Sequence, residues 1–283
     1  MNADPRITAL RDGVASTALE GVAAAEVYLE PRAMACRVAA AGVHRAPDLA
    51  AEQMDQLLLG EGFEVIEEEA GGFVWGQARR DGYVGFVLAH ALGLTGAQPT
   101  HRVAALRTYA FAEPSIKSRA AGPYSLNALV NVEAVDGRLA KAAGCGWIPV
   151  EHLQPIGVFE DDWAAVAERH LGAPYLWGGR ESLGLDCSGL VQQALFACGR
   201  ACPRDADQQA QLGVAIARKD FGRGDLVCWN GHIGMGLDPP GRKGGRIVHA
   251  NGFHMAVAIE PLETAIARID AAGVGQPTAF RRP

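Results

Sequence analysis

Cys187 lies in the segment Leu185–Val191, whose residue types could support a reactive thiol. Asp186 is a good helix N-cap and apolar residues recur behind it at helical spacing, which predicts a helix from about Cys187 to Cys198. The first turn of a helix offers unpaired N–H groups and the positive end of the dipole, which favour a thiolate. The thiolate is the nucleophilic form. The alternative is that Cys187 is a small buried hydrophobe.

Two histidines downstream favour the catalytic interpretation. His232 is predicted to open the second strand of a hairpin within Arg223–Met235, and His249 lies in a further predicted strand, Ile247–Ala250. A cysteine peptidase needs an imidazole that accepts and returns a proton and a third group that orients this imidazole. We therefore expect His232 to be the base and His249 the orienting group, with His254 as an alternative for the third position.

The composition of the chain excludes several classes of protein. Its 283 residues carry a net charge of -6, which argues against a general nucleic-acid binder because phosphate neutralisation needs clustered Lys and Arg. Met1 to Asp12 shows no secretory signal, and the Ala-rich segment Gly13 to Leu29 is too short and too polar to span a bilayer. The six cysteines lack the dense spacing of a disulfide scaffold. We expect a cytoplasmic protein without membrane partners, whose oligomeric state the sequence leaves open.

The chain divides by texture into four segments. Residues 1–40 are predicted to be helical with a connector, because Leu10, Val14, Ala18 and Val22 would share one apolar face. Residues 41–95 and 100–156 each show short strands separated by glycine-rich turns. Residues 160–283 show helices first and an antiparallel sheet afterwards, which predicts an α+β domain.

The two strand-rich segments are weakly similar to each other. Val84–Val87 aligns with Cys145–Ile148, and Leu92 then aligns with Leu153. Self-similarity of this kind indicates a repeated structural unit. We therefore expect two small β-barrels, at 41–95 and 100–156, ahead of the α+β domain.

Three motifs in the last domain resemble those of the NlpC-type murein peptidases. They are Ala173–Gly179 followed by Asp186–Leu190, Gly224–Val227 leading to His232–Gly234, and Val248–Ala250. The resemblance covers about Trp163 to Pro261 and implies a circularly rearranged papain-like fold. It also implies that Cys187 is the nucleophile, His232 the general base and acid and His249 the orienting group. Tyr175 would bind the oxyanion together with the Cys187 N–H.

The upstream barrels resemble bacterial SH3 domains, and two of them before an NlpC-type domain are similar to the γ-D-glutamyl-L-diamino acid peptidases, also called dipeptidyl-peptidase VI. This branch cleaves between D-Glu and the diamino acid of murein peptides that begin L-Ala-γ-D-Glu. Arg204–Asp205 matches its substrate-binding segment, and Asp205 could pair with the free L-Ala ammonium. The branch usually has Ser where this chain has Ala206.

Further residues are expected to contact the substrate. Tyr83 and Glu61 on the first barrel would complete the amine pocket, and we include Asp186, Ser188 and Trp177 among the substrate-binding residues. Each has a plainer alternative: Tyr83 as a barrel-surface aromatic, Glu61 as a solvated loop charge and Trp177 as a structural loop plug.

The predicted activity needs no cofactor and no metal, since a thiolate and a proton shuttle do all the chemistry. Cys198 with Cys202, and Cys228 with His232, have spacings that could each hold part of a zinc site, although neither has a second pair to complete four ligands. The rival functions are a papain-like amidase or acyltransferase on another substrate, and a non-catalytic module that binds wall fragments or a partner. The sequence does not distinguish Lys from diaminopimelate in the substrate.

Overall fold

The N-terminal segment forms short strands in the computed structural model, which describes residues 4–283. β1 (Leu10–Arg11), β2 (Val14–Ser16) and β3 (Val27–Leu29) make a small sheet, with a 3-10 turn at Thr17–Leu19. The helix expected in residues 1–40 is therefore wrong for the described residues, and 1–3 lie outside them. Gly13 adopts φ +81°, which interrupts a right-handed helix, and Val22 on the supposed apolar face is 79% exposed.

Strands fill the rest of the first compact unit, Met1–Ile156. They are β4 (Arg32–Cys36), β5 (Ala40–His44), β6 (Gln53–Leu58), β7 (Gly62–Glu68), β8 (Phe73–Ala78), β9 (Val84–Leu88), β10 (Leu92–Leu94), β11 (His101–Val103), β12 (Arg107–Phe111), β13 (Ala120–Ser125), β14 (Leu129–Val130), β15 (Val132–Asp136), β16 (Leu139–Ala142), β17 (Gly146–Pro149) and β18 (Leu153–Pro155).

A seven-stranded sheet in the order β10-β4-β7-β8-β9-β5-β6 contains the strands of the segment 41–95 and also β4, which precedes the expected boundary. β7, β8 and β9 are consecutive antiparallel strands, as the alternation and the glycine turns predicted. Val43, Leu57, Phe63 and Val87 are fully buried in its core. Burial of such side chains stabilises the sheet by about 1.5–3 kcal/mol each.

The segment 100–156 forms two smaller sheets, β14-β11-β18 and β13-β12-β17-β16-β15. Its last elements repeat those of the preceding sheet: β9 and β10 are joined by a 3-10 turn at Ala89–Ala91, and β17 and β18 by one at Val150–His152. Leu92 and Leu153 open the strand that follows in each case, as the sequence overlay predicted. The order of strand, 3-10 turn and strand is therefore the same at the ends of the segments 41–95 and 100–156.

The second unit, Gly157–Pro283, combines helices with one antiparallel sheet, as the α+β prediction requires. Its elements are α1 (Trp163–Glu168), β19 (Arg180–Glu181), β20 (Gly184–Leu185), α2 (Cys187–Ala197), α3 (Ala206–Gln209), β21 (Val214–Ala215), β22 (Leu226–Trp229), β23 (His232–Gly236), β24 (Arg246–Asn251), β25 (Ala256–Pro261), α4 (Leu262–Ala271) and β26 (Ala279–Arg282).

Six strands in the order β21-β26-β22-β23-β24-β25 make the sheet of this unit, and α2 packs against β23 and β24. α4 was not anticipated, although Leu262, Ala265, Ile266 and Ile269 have helical spacing. These residues are buried against the sheet, in a cluster that includes Val227, Trp229 and Ile247. The sheet and α2 therefore place the two expected histidines beside the start of the cysteine-bearing helix.

Candidate active site

Cys187 is the first residue of α2, as predicted. Asp186 caps this helix, since its Oδ1 accepts a hydrogen bond from the Gly189 amide at 2.7 Å and another from Ser188 Oγ at 3.2 Å. All eleven residues of α2 are buried. Cys187 is therefore presented by a packed helix, which holds a reacting group more firmly than a loop does.

A buried ion pair fixes the cap itself. Arg204 donates to both oxygens of Asp186, at 2.7 and 2.9 Å, and to Ser188 Oγ at 2.8 Å. Arg204 is only 1% exposed, and the second Asp186 oxygen also accepts from the Gly178 amide at 2.9 Å. Three of the residues expected to bind substrate thus bind one another and support the start of α2.

Two opposing influences act on the thiol of Cys187. Burial raises its pKa to about 12, and the neighbouring Asp186 carboxylate also raises it. Hydrogen bonding to the backbone of Ile233 and Ser188 lowers the pKa, as expected at a helix start, but does not outweigh burial. The thiol is therefore protonated at ordinary pH, and a base would have to remove its proton before it could react as a thiolate.

His232 and His249 lie side by side at the start of β23 and within β24. His232 Nε2 and His249 Nδ1 are 2.8 Å apart. Burial lowers the pKa of His232 to about 3, and the charges of His249 and Arg268 lower it as well. His232 is consequently neutral at ordinary pH, which is the form that accepts a proton.

His249, rather than His254, contacts the ring of His232. The His254 ring instead lies 2.9 Å from Asn251 Oδ1. His249 is fully buried, and burial also lowers its pKa. Because His249 contacts Nε2 of His232, Nδ1 is the ring nitrogen of His232 that takes no part in this contact.

Two residues that the sequence reasoning missed extend this contact. Glu260 Oε1 lies 2.8 Å from His249 Nε2, and Arg268 of α4 forms an ion pair with the same oxygen. Hydrogen bonds from His249 and Arg268 lower the pKa of Glu260 to about 2, although its burial acts in the opposite direction. A continuous chain of contacts therefore runs from His232 to a fixed negative charge.

Tyr175 lies in the loop before α2. Its amide donates to Met255 O at 2.9 Å, and its backbone pairs with Leu185, directly before the helix cap. Burial raises the pKa of its phenol, and the nearby Cys187 and Asp186 raise it further. The phenol therefore stays protonated as a hydrogen-bond donor beside Cys187, whereas Trp177 in the same loop is 56% exposed.

Asp205 precedes α3, and its amide donates to Gln208 Oε1 at 3.3 Å. Gln209 Nε2 donates to Ser188 O at 2.9 Å and to Pro203 O at 2.8 Å, so the segment carrying Asp205 is held against the first turn of α2. Ala206, where the resembling branch has Ser, is 8% exposed. The methyl side chain of Ala206 cannot form the hydrogen bond that a Ser hydroxyl at this position would provide.

Tyr83 and Glu61 belong to the first unit, and both are buried. Tyr83 is 3% exposed within the core of the seven-stranded sheet, and Glu61 is 1% exposed. Glu61 forms an ion pair with Arg80 at 2.9 Å and accepts a hydrogen bond from the Leu58 amide at 3.0 Å. The alternatives of a surface aromatic and a solvated loop charge are therefore wrong.

Possible metal ligands lie close together around His249. In residues 4–283, ligand atoms of His249, His254 and Glu260 lie within 4.8 Å of one another. His249 Nε2 and Glu260 already share a hydrogen bond and Arg268 lies on the carboxylate, so a cation would have to displace a guanidinium. Within that range, neither Cys198 with Cys202 nor Cys228 with His232 belongs to a group of three such ligands.

Comparison with known families agrees with the sequence motifs. Residues 172–273 match the NlpC/P60 family, and residues 43–92 match the bacterial dipeptidyl-peptidase Sh3 domain. The chain thus carries an NlpC/P60 domain with a bacterial SH3 domain ahead of it, which confirms the resemblance. A second SH3-like barrel at 100–156 stays a prediction. No helix in the described residues is long and apolar enough to cross a membrane.

Curated relatives and a solved structure are similar over different lengths. A γ-D-glutamyl-L-lysine dipeptidyl-peptidase of Bacillus cereus is 30% identical over 37% of this chain and 32% of its own length. Dipeptidyl-peptidase 6 of Lysinibacillus sphaericus is 26% identical over 70% of this chain and 81% of its own length. The chain thus spans about a third of the Bacillus cereus relative.

A crystal structure of an NlpC/P60 family protein from Bacillus cereus shares the fold. It superposes with a TM-score of 0.75 at 19% identity and covers 88% of this chain and 99% of that one.

Proposed function

We propose that the NlpC/P60 domain of this chain is a cysteine peptidase that hydrolyses the γ-D-Glu–diamino acid bond of murein peptides with a free N-terminal L-Ala. The observation that carries the proposal is the contact between His232 Nε2 and His249 Nδ1 at 2.8 Å. The next residue along the strand, Ile233, forms a backbone hydrogen bond with Cys187. The names of the Bacillus cereus and Lysinibacillus sphaericus relatives support this choice of substrate.

The reaction starts with the neutral thiol. Cys187 Sγ attacks the carbonyl carbon of the γ-linked amide while its proton passes to His232, so that the carbonyl π electrons move onto oxygen. The Cys187 amide, which has no intrahelical acceptor at the first position of α2, and the Tyr175 hydroxyl donate to this oxyanion.

The second half of the reaction returns the proton. The C–N bond breaks, His232 gives its proton to the departing amine, and a thioester remains on Cys187. Water then attacks the thioester with His232 again acting as the base, which releases the γ-carboxyl of D-Glu and restores the thiol. His249 holds the His232 ring throughout, since it occupies Nε2.

Recognition of the free amine is the second part of the proposal. Asp205 follows Arg204, which is anchored on the cap of α2, and Gln209 also bonds the first turn of α2, so the backbone that carries Asp205 is held beside this helix. A carboxylate that pairs with the L-Ala ammonium rejects acylated amines. Because the muramic acid linkage acylates this amine, such an enzyme would recycle released peptides.

Cleavage of L-Ala-γ-D-Glu-diaminopimelate by the purified chain, followed by mass spectrometry, tests the proposal. We expect L-Ala-D-Glu and free diaminopimelate, with no product from Cys187→Ala and normal product from the control Cys198→Ala at the other end of α2. The N-acetylated tripeptide should resist cleavage.

Other outcomes separate the alternatives. Equal cleavage of the acetylated peptide would refute the amine pocket but keep the peptidase. Activity only on other amides or on acyl donors would favour an amidase or acyltransferase. Tight binding without turnover would favour a non-catalytic module. The lysine tripeptide, run in parallel, shows which diamino acid is preferred.

A further inference from the structure

Glu260 and Arg268 lie beyond the four residues to which the reaction assigns roles. Glu260 is in β25, 9% exposed, and its Oε1 is 2.8 Å from His249 Nε2. Arg268, two turns into α4, forms an ion pair with the same oxygen, and its guanidinium stacks 4.5 Å from the ring centroid of Phe253. The carboxylate is therefore held between a strand histidine and a helix arginine.

The charge of Glu260 determines which way the hydrogen bonds run. An ionised carboxylate can only accept, so His249 Nε2 must carry a proton. A neutral His249 then has an unprotonated Nδ1, which can only accept from His232 Nε2–H. A neutral His232 that donates through Nε2 keeps its lone pair on Nδ1, the nitrogen left for the thiol of Cys187.

A neutral polar side chain in place of Glu260 would not fix the direction of the hydrogen bonds that join it to His249 and His232. An amide at position 260 could either accept from His249 or donate to it. Donation would move the His249 proton to Nδ1 and the His232 proton to Nδ1 in turn. The nitrogen needed for the thiol would then be protonated, and the ring would be in the wrong tautomer to act as a base.

We propose that Glu260, clamped by Arg268, is a positioning residue that selects the His232 tautomer able to deprotonate Cys187. The inference rests on the proposed function for its kinetic consequences, whereas the tautomers themselves exist without substrate. Titratable or charged groups that face His249 are His232 from β23, Glu260 from β25, Arg268 from α4 and His254 from the intervening loop. Glu260 supplies the only negative charge among these four.

Glu260→Gln tests the inference, because it keeps the shape of the side chain and removes its charge. We expect kcat on the tripeptide to fall about 10- to 100-fold, as for other partners that orient a histidine, with KM changed less than about twofold. The matched control is Glu263→Gln, which removes a glutamate of α4 that pairs with the exposed Arg218. It should leave both constants unchanged.

Nitrogen-15 NMR of the histidine rings supplies a second measurement that a merely structural role would not alter. Wild type and Glu263→Gln should both show His232 and His249 protonated at Nε2, and Glu260→Gln should populate the Nδ1–H forms. Unchanged tautomers in a folded Glu260→Gln, or a kcat equal to that of Glu263→Gln, would overturn the inference. A wild type that cuts no murein peptide but shows the Nε2–H pair would overturn the proposed function alone.

Discussion

Arg204 and Asp186 form the buried ion pair beneath the start of α2, and its removal should be costly. Arg204→Met deletes two charge-assisted hydrogen bonds to the carboxylate and one to Ser188 Oγ. Asp186, which is 5% exposed in the native chain, would keep donors from the amides of Gly178 and Gly189 and from Ser188. The Asp186 carboxylate would thus keep these hydrogen bonds but lose the positive charge of Arg204.

The expected loss follows from this geometry. Breaking a buried ion pair by removing one partner costs about 3–5 kcal/mol. Because Asp186 keeps three donors, we expect the lower end, about 3 kcal/mol for Arg204→Met. The control is Arg218→Met, which breaks the ion pair with Glu263 in which the side chains are 46% and 68% exposed. Exposed pairs contribute at most about 1 kcal/mol.

Hydrogen exchange of the amides of α2 is the suitable assay, since a chain of two compact units need not unfold in one step. Arg204→Met should raise the exchange of these amides by a factor of about 100, which corresponds to 3 kcal/mol, and Arg218→Met by less than about 5. The double variant Arg204→Met with Asp186→Asn should recover part of the loss, since no buried charge is left unpaired. Equal exchange in the two single variants would refute the reasoning.

Two further predictions concern packing and pH. Gly179→Ala should destabilise the second unit by about 1–3 kcal/mol, measured by hydrogen exchange of its amides, because its Cβ would lie 2.5 Å from Gly184 O and 2.9 Å from Leu176 O. Gly252→Ala, with open space around it, should not destabilise this unit. Burial lowers the pKa of His232 from 6.5 to about 3, so its contribution to stability is full above pH 6.5 and is lost as the pH falls towards 3. As the pH is lowered, wild type should begin to unfold at a higher pH than His232→Gln does. Identical acid-unfolding curves for the two proteins would contradict this prediction.

Local signals in the sequence were sufficient to predict the helix that begins at Cys187. Asp186 before an apolar-periodic run predicted both the cap and the start of α2, and alternation predicted β8 at Phe73–Ala78. Local patterns also predicted that His232 opens the second strand of a hairpin and that His249 lies in a further strand, as β23 and β24 show. These features depend on residues within a few positions of one another, where propensity and periodicity are informative.

One local pattern was misread, and one longer-range contact was missed. The spacing of Leu10, Val14 and Ala18 suggested a helix, but glycines with positive φ at Gly13 and Gly21 interrupt it. The expectation of substrate contacts for Asp186 and Arg204 overlooked their pairing across 18 residues. A buried arginine needs a carboxylate, and the sequence alone does not show which one will be near.

Glu260 shows most clearly why part of the site could not be predicted. His249 pairs with Ala258 across β24 and β25, so Glu260, two residues further along β25, lies diagonally on the same face. A slip of one residue in this register would turn Glu260 to the other face and leave His249 Nε2 without its acceptor. Arg268 reaches the carboxylate only because α4 folds back after Pro261. The direction of the proposed proton chain therefore depends on strand register and helix docking, which are properties of the folded chain.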